Sequence, residues 1–65
     1  MNRHYFLQLT HKKSGTEWLV NLDNVTAISN DSDGVRIYLV GDSIPVPVDE
    51  TYETIMNILK HLYDE

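Results

Sequence analysis

The sequence predicts a small α+β domain, mainly β, in which a half-rolled antiparallel meander of four to five strands precedes one C-terminal amphipathic helix. Short runs rich in strand-forming residues recur along most of the chain, with turn-forming residues between them. The apolar period then changes from two to the helical spacing near the C-terminus. The chain has 65 residues, which favours a single domain over residues 1–65.

The strands are predicted from alternating apolar residues and from the turn signals that bound them. Alternation in the first strand places Leu7 and Leu9 on one face and Phe6 and Gln8 on the other. Ser14-Gly15 then favours a turn, so that the second strand completes a hairpin. The predicted strands cover about residues 4–10, 16–21, 25–30, 35–40 and 44–48.

The fifth predicted strand carries two prolines. Pro45 and Pro47 are two residues apart, so their nitrogens point to the same edge, and neither can donate a hydrogen bond to a ladder. The segment can still pair through its other edge, using Ile44, Val46 and Val48. It is therefore predicted to be an edge strand whose free side is protected by proline.

Residues 30–34 read N-D-S-D-G, which fits either a calcium loop or a tight turn. An EF-hand loop has Gly at position 6 and a bidentate Glu at position 12. Placing Gly34 at position 6 puts Val40 at position 12, where it cannot bind calcium. Asp33-Gly34 between two strands is typical of a hairpin. We therefore predict a turn here and no metal site.

The C-terminal segment is predicted to be a helix over about residues 51–63. Either Asp49 or Thr51 can cap its N-terminus. Its apolar stripe is expected mostly to cover the core, and part of it could meet another subunit. The stripe consists of Tyr52, Ile55, Met56, Leu59, Leu62 and Tyr63.

One face of the predicted sheet has no cover, because the sequence contains only one helix. Phe6, Trp18, Tyr38 and Val40 are the candidates for this face, and large apolar side chains there would favour self-association. The alternative is that the sheet curls enough to bury both faces, as in a small barrel. The candidate interface residues, including two on the helix, are Phe6, Trp18, Tyr38, Val40, Ile58 and Tyr63.

The net charge of −5 is unevenly distributed. Residues 1–16 contain three cationic side chains and no acid, a balance of +3, whereas residues 17–65 contain two against all 10 acids, a balance of −8. An acidic chain repels phosphate backbones, so nucleic-acid binding is not expected. The basic residues could instead bind a small anion such as a nucleotide, if association brings copies together. The candidate anion-binding residues are Arg3, His11, Lys12, Lys13 and Arg36.

No residue pattern indicates catalysis, a metal site or a cofactor. The chain has no Cys, no nucleophile-elbow serine and no glycine-rich phosphate loop. His4, His11 and His61 lie on separate predicted elements without metal-ligand spacing. No apolar run approaches the roughly 18 residues of a membrane span, and the N-terminus lacks a signal-peptide pattern. We therefore expect a non-enzymatic, soluble, cytoplasmic protein without membrane insertion.

Several short motifs agree in order and spacing with one known family. They are L-T at 9–10, G at 15, V-N at 20–21, N-x-x-x-V at 21–25, I at 28, I-Y-L at 37–39 and V-D-E-T-Y-E-T-I at 48–55. Over residues 7–60 the chain resembles the small flagellar FlbD-like family, which includes swarming-motility SwrD-like proteins and similar short phage and prophage proteins. The resemblance implies Thr51 as the helix cap. Where the family has Glu three residues later, this chain has Thr54, which weakens the capping box.

The resemblance implies a non-enzymatic accessory protein, and in the flagellar branch it implies support of motor output. It carries over no catalytic or binding residues. The sequence thus predicts a non-catalytic, homo-oligomeric protein-interaction module that also binds an unidentified protein. The alternative is a phage-encoded protein acting against host defence, which either sequesters a small anionic nucleotide signal or inhibits a host protein through its acidic surface.

Overall fold

The computed structural model describes residues 5–63 and contains five strands and one α-helix. Its elements are β1 (Phe6–Thr10), β2 (Glu17–Asn21), β3 (Val25–Asp31), β4 (Gly34–Leu39), β5 (Val46–Val48) and α1 (Tyr52–Tyr63). The mainly β α+β fold class is confirmed, with most bounds within two residues of those predicted. The predicted start of the first strand at residue 4 lies outside the described residues.

The strands form two antiparallel sheets that meet but do not close into a barrel. β1 pairs with β2 as a hairpin, and β3, β4 and β5 form a three-stranded meander. Two backbone hydrogen bonds join the sheets: the Lys12 amide donates to the Pro47 carbonyl oxygen, and the Asp49 amide donates to the Thr10 carbonyl oxygen, both at 2.9 Å. The end of β1 therefore lies beside β5, which gives the half-rolled shape.

The proline-containing strand differs from its prediction in two ways. Val46 and Val48 pair with β4, as expected, but Ile44 is outside the strand and 76% exposed. The proline side is also not free, because the Pro47 carbonyl oxygen accepts the Lys12 amide. Proline removes a donor and leaves its carbonyl oxygen available, so this edge can still accept a hydrogen bond.

The N-D-S-D-G segment is a hairpin turn, as predicted. β3 ends at Asp31, which pairs with Gly34 at the start of β4, so that two residues make the reversal. Gly34 has a φ of 126°, which side-chain-bearing residues rarely adopt. Asp31 at the end of β3 and Asp33 within the turn both pair with the Arg36 side chain. These two ion pairs connect β3 and the turn to β4 and thereby stabilise the hairpin.

The helix begins with the predicted cap. The Thr51 hydroxyl oxygen accepts a hydrogen bond from the Thr54 amide at 3.1 Å, and the Thr51 carbonyl oxygen accepts one from Ile55. Just before the cap, the Glu50 carboxylate accepts two hydrogen bonds from Thr10, one from the amide at 2.9 Å and one from the hydroxyl at 3.0 Å. Glu50 therefore ties the start of α1 to the end of β1.

One core lies between the sheets and the helix. Leu7 and Leu9 of β1 face it, which confirms the predicted alternation of that strand, while Ile55 is the most deeply buried residue of α1. The buried side chains are Leu7, Leu9, Val20, Val35, Ile37, Val46, Val48 and Ile55. Within residues 5–63, no helix has the length and apolarity needed to cross a membrane.

Candidate functional site

The first candidate site is the outer edge of β2, whose backbone points away from β1 at alternate residues. The His11 amide donates to the Thr16 carbonyl oxygen and the Leu22 amide donates to the Tyr5 carbonyl oxygen. These two bonds lie at opposite ends of the β1–β2 hairpin and show which of its residue pairs are hydrogen-bonded. Because antiparallel strands alternate their hydrogen-bonding direction, the amide and carbonyl groups of Leu19 point outward. Within the described part of the chain, β2 pairs only with β1. This edge is therefore available to another strand.

Apolar side chains accompany this edge. Phe6 is 52% exposed, Leu19 is 69% exposed and Val40 is 63% exposed. Together with Trp18 they line a shallow recess of about 290 Å³. The Trp18 ring lies 5.5 Å from the His11 ring, measured between centroids, and Trp18 is 37% exposed. We call the outer edge of β2 with Phe6, Trp18, Leu19 and Val40 the β2 surface.

The predicted interface residues are only partly brought together. Three of the six, Phe6, Trp18 and Val40, belong to the β2 surface. The others line no part of this recess: Tyr38 lies on β4, Ile58 on α1, and the Tyr63 ring of α1 stacks edge-on against Tyr5. All six side chains are exposed by more than a third of their surface, and their role in an interface stays a prediction.

Two details of this surface differ from the expectations. Trp18 pairs with Leu9, so it lies at the margin of the core-facing side of the hairpin and not on the opposite face. Leu19 belongs to the surface and was not predicted. The run Trp18-Leu19-Val20 carries the signal that could have found it, because in a strand the middle of three apolar residues must face the other way.

The second candidate site is a groove that we call the basic groove. Lys12 and Lys13 come from the turn of the first hairpin and Arg36 comes from β4, and all three line a cavity of about 440 Å³ beside Pro45 and Pro47. These are three of the four Lys and Arg side chains within residues 5–63. The structure thus joins two segments that are far apart in the sequence.

The remaining predicted anion-binding residues do not line this groove. His11 pairs with Val48 at the junction of the sheets and turns its ring toward Trp18. Arg3 lies outside the residues that the structure describes. The basic groove is therefore built from Lys12, Lys13 and Arg36.

The three cations of the groove differ in how their charge is used. The Arg36 guanidinium contacts Asp31 at 2.6 Å and Asp33 at 2.7 Å, and its hydrogen bond lowers the pKa of the Asp33 carboxyl. The same hydrogen bond raises the pKa of Arg36. The Lys12 ammonium donates to the Asp33 carbonyl oxygen at 2.6 Å. The Lys13 ammonium has no partner within residues 5–63. Both acids pair with Arg36, so neither lysine has a carboxylate partner among the described residues, and the three cations and two acids together carry a net charge of +1.

No group of three or more His, Asp, Glu or Cys side chains in the described part of the chain could hold a metal ion. What the two sites offer is an apolar strand edge and a cationic groove. The first suits contact with another polypeptide and the second suits contact with an anion.

No family model, no curated protein and no solved structure matches this chain. The resemblance to the FlbD-like family therefore rests on the quoted residues alone and stays a prediction. Any function has to be argued from the two sites described above.

Proposed function

We propose that this chain is a non-catalytic protein-interaction module that self-associates through the β2 surface. The observation that carries the proposal is the unpaired edge of β2 with its exposed Leu19. Soluble proteins protect such edges with Lys, Pro or a bulge, and β2 has none of these. A domain of this size also buries only about 60% of its unfolded surface, so burial between copies would add to its stability.

The proposed dimer pairs the β2 strands of two copies antiparallel about a two-fold axis. Centring the axis on Leu19 aligns the outward amide and carbonyl groups of this residue with those of the partner's Leu19. The same register sets Glu17 opposite Asn21, which avoids a repulsion between two glutamates. Phe6 lies on the same side of the hairpin as Leu19 and would extend the buried apolar area.

Sedimentation equilibrium over a range of protein concentrations tests the proposal. We expect a reversible dimer for the unchanged chain and a monomer for Leu19→Lys, because a lysine on the edge opposes strand pairing. Leu19→Pro removes an outward-facing amide donor and no hydrogen bond between β1 and β2, so it should also give a monomer while retaining the hairpin.

A matched control separates strand pairing from a general loss of apolar surface. Ile44 is 76% exposed and does not belong to the β2 surface, so Ile44→Lys should leave the dimer intact. A strict monomer at every concentration would contradict the proposal. A dimer that persists in both Leu19 variants with folded spectra would contradict the assignment to β2.

The alternative of an inhibitor with an acidic face has less support from the described residues. Such an inhibitor would present its acids on one continuous surface. Instead, Asp31 and Asp33 pair with Arg36, Glu17 accepts a hydrogen bond from Gln8, and Glu50 contacts Thr10. These carboxylates lie on separate elements and are used locally. We therefore favour the apolar β2 surface over an acidic one.

We also propose, on the FlbD-like resemblance, that the chain is an accessory protein of flagellar motility, and from the sequence pattern that it acts in the cytoplasm. The flagellar role predicts that deleting the gene reduces swarming and that the unchanged chain restores it. If self-association matters for the role, Leu19→Lys should restore it poorly and Ile44→Lys should restore it fully. Unchanged swarming after deletion would contradict the flagellar role and leave the dimerisation test unaffected.

A further inference from the structure

We propose that the basic groove binds a phosphate monoester that carries a flat aromatic group with apolar ring faces, a description that nucleotides fit. The groove shares no lining residue with the β2 surface, so the inference stands independently of the proposed dimer. Its volume of about 440 Å³ lies within the 300–1,000 Å³ typical of small-molecule sites. The proposal requires one copy of the chain, whereas the sequence alone suggested that several copies would have to meet.

The phosphate would be held mainly by the two lysines. An ammonium group has three donors, so Lys12 keeps two after bonding to the Asp33 carbonyl oxygen, and Lys13 keeps all three within the described residues. Charge-assisted hydrogen bonds to phosphate are roughly twice as strong as neutral ones. The Lys12 side chain is also fixed in place, because its backbone amide bonds to Pro47 and its ammonium bonds to the β3–β4 turn.

Arg36 lines the groove and contributes oriented hydrogen-bond donors more than net charge. Asp31 and Asp33 offset its charge and hold the guanidinium plane between them. Each of those bonds uses one terminal nitrogen, so further guanidinium hydrogens remain for a ligand oxygen. The acids also disfavour ligands of higher negative charge, because additional phosphate groups would approach two carboxylates. A single phosphate fits this balance better than a chain of phosphates.

The apolar floor of the groove explains why an apolar group should accompany the phosphate. Pro45 and Pro47 present rings without donors, and Ile44 stands exposed at the rim. A planar ring can cover such a surface without leaving a backbone polar group unpaired. The overall charge of −5 acts at longer range, where salt screens it beyond about 8 Å at physiological ionic strength. Binding is therefore decided by the groove itself.

Amide chemical shifts of the isotopically labelled full chain test the proposal. The probes are adenosine 5′-monophosphate, adenosine and inorganic phosphate, each titrated to about 10 mM, tenfold above a weak Kd of about 1 mM. We expect the monophosphate to shift the amides of Lys12, Lys13, Gly34, Arg36 and Ile44. Adenosine and inorganic phosphate should each give weaker, unsaturated changes, because each lacks half of the complementary chemistry.

Charge variants locate the binding and separate it from general electrostatics. Lys13→Gln removes the unpaired ammonium and should weaken monophosphate binding about fivefold or more. Lys60→Gln removes the same charge from α1, outside the groove, and should change the affinity by less than about twofold. The Lys13 side chain has no partner in the described residues, so its loss leaves the fold unchanged.

The outcomes decide between the alternatives. Saturable shifts at the groove that Lys13→Gln weakens and Lys60→Gln does not would support the proposal. No shifts, equal effects of the two variants, or equal binding of the monophosphate and adenosine would overturn it. Equal binding of the monophosphate and inorganic phosphate would overturn the assignment of an apolar group to the ligand.

Discussion

Replacing Glu50 should destabilise the fold at neutral pH, and the neutral replacement Glu50→Gln should have little effect in acid. Its carboxylate accepts hydrogen bonds from the Thr10 amide and hydroxyl at 2.9 and 3.0 Å. Hydrogen bonds to charged groups contribute about 1.5–3 kcal/mol each when shielded from water, and less where solvent reaches them, as it does here. Glu50→Ala, which leaves the Thr10 amide without its acceptor, should therefore cost about 2 kcal/mol. Glu50→Gln keeps one oxygen acceptor and should cost about 1 kcal/mol.

The pH dependence follows from the pKa of Glu50. Partial burial opposes ionisation, but the hydrogen bonds from Thr10, together with one from the backbone of Glu50 itself, outweigh it and lower the pKa of this carboxyl below its ordinary value. A lowered pKa means that the stabilisation is fully present above the unfolded-state pKa of about 4.3. It is lost as the pH falls through the lower pKa of the folded state. The stability difference between the unchanged chain and Glu50→Gln should shrink over that interval.

Urea unfolding followed by the fluorescence of the single Trp, Trp18, measures these differences. Protein concentration is held constant, because self-association would add to the apparent stability. Glu53→Gln is the matched control, since it removes a carboxylate from the first turn of α1 and should cost only about 0.3–1 kcal/mol. Equal losses in Glu50→Ala and Glu53→Gln, or a loss in Glu50→Gln that is unchanged in acid, would refute the role assigned to the Thr10 contacts.

Three further substitutions test the turn, the cap and the core. Gly34→Ala should cost about 1–3 kcal/mol because of the φ of 126°, and its Cβ would also stand 2.9 Å from the Lys12 ammonium; Gly41→Ala, strained but in open space, controls for the backbone. Thr51→Ala should cost about 1 kcal/mol in a thermal melt, and Thr51→Ser, which keeps the cap, should restore most of it. Ile55→Val should cost about 0.5–1.5 kcal/mol in urea, and a neutral result would contradict complete burial.

The local features of this fold are those that sequence reasoning predicted well. The alternation of β1, the hairpin turn within residues 30–34 and the Thr51 cap depend on residues within a few positions of one another. Each has a physical cause that acts through the backbone nearby: side-chain direction, tolerance of positive φ, or a hydroxyl near a free amide. Such causes can be recognised before the tertiary arrangement is known.

The features that were missed depend on which strands become neighbours. The run Trp18-Leu19-Val20 indicates that Leu19 faces the other way from its neighbours, but only the pairing of Leu9 with Trp18 shows which face meets the core, because a shift by one residue exchanges the faces of the strand. The convergence of Lys12 with Arg36 depends on β1 lying beside β5. No local pattern around either residue carries that information. Long-range pairing therefore decides both candidate sites.

The proline strand links the half-rolled shape to the basic groove. Because Pro47 cannot donate, the side of β5 that faces β1 offers a carbonyl oxygen at this position and needs a donor from its neighbour. The Lys12 amide, beyond the end of β1, supplies that donor at 2.9 Å and thereby joins the two sheets. The same bond sets the Lys12 side chain against the β3–β4 turn and beside Arg36. The proline pattern of β5, which suggested a protected edge, thus places the Lys12 ammonium beside the apolar proline rings of the groove. A change that separates β1 from β5 should therefore abolish both the junction between the sheets and the basic groove.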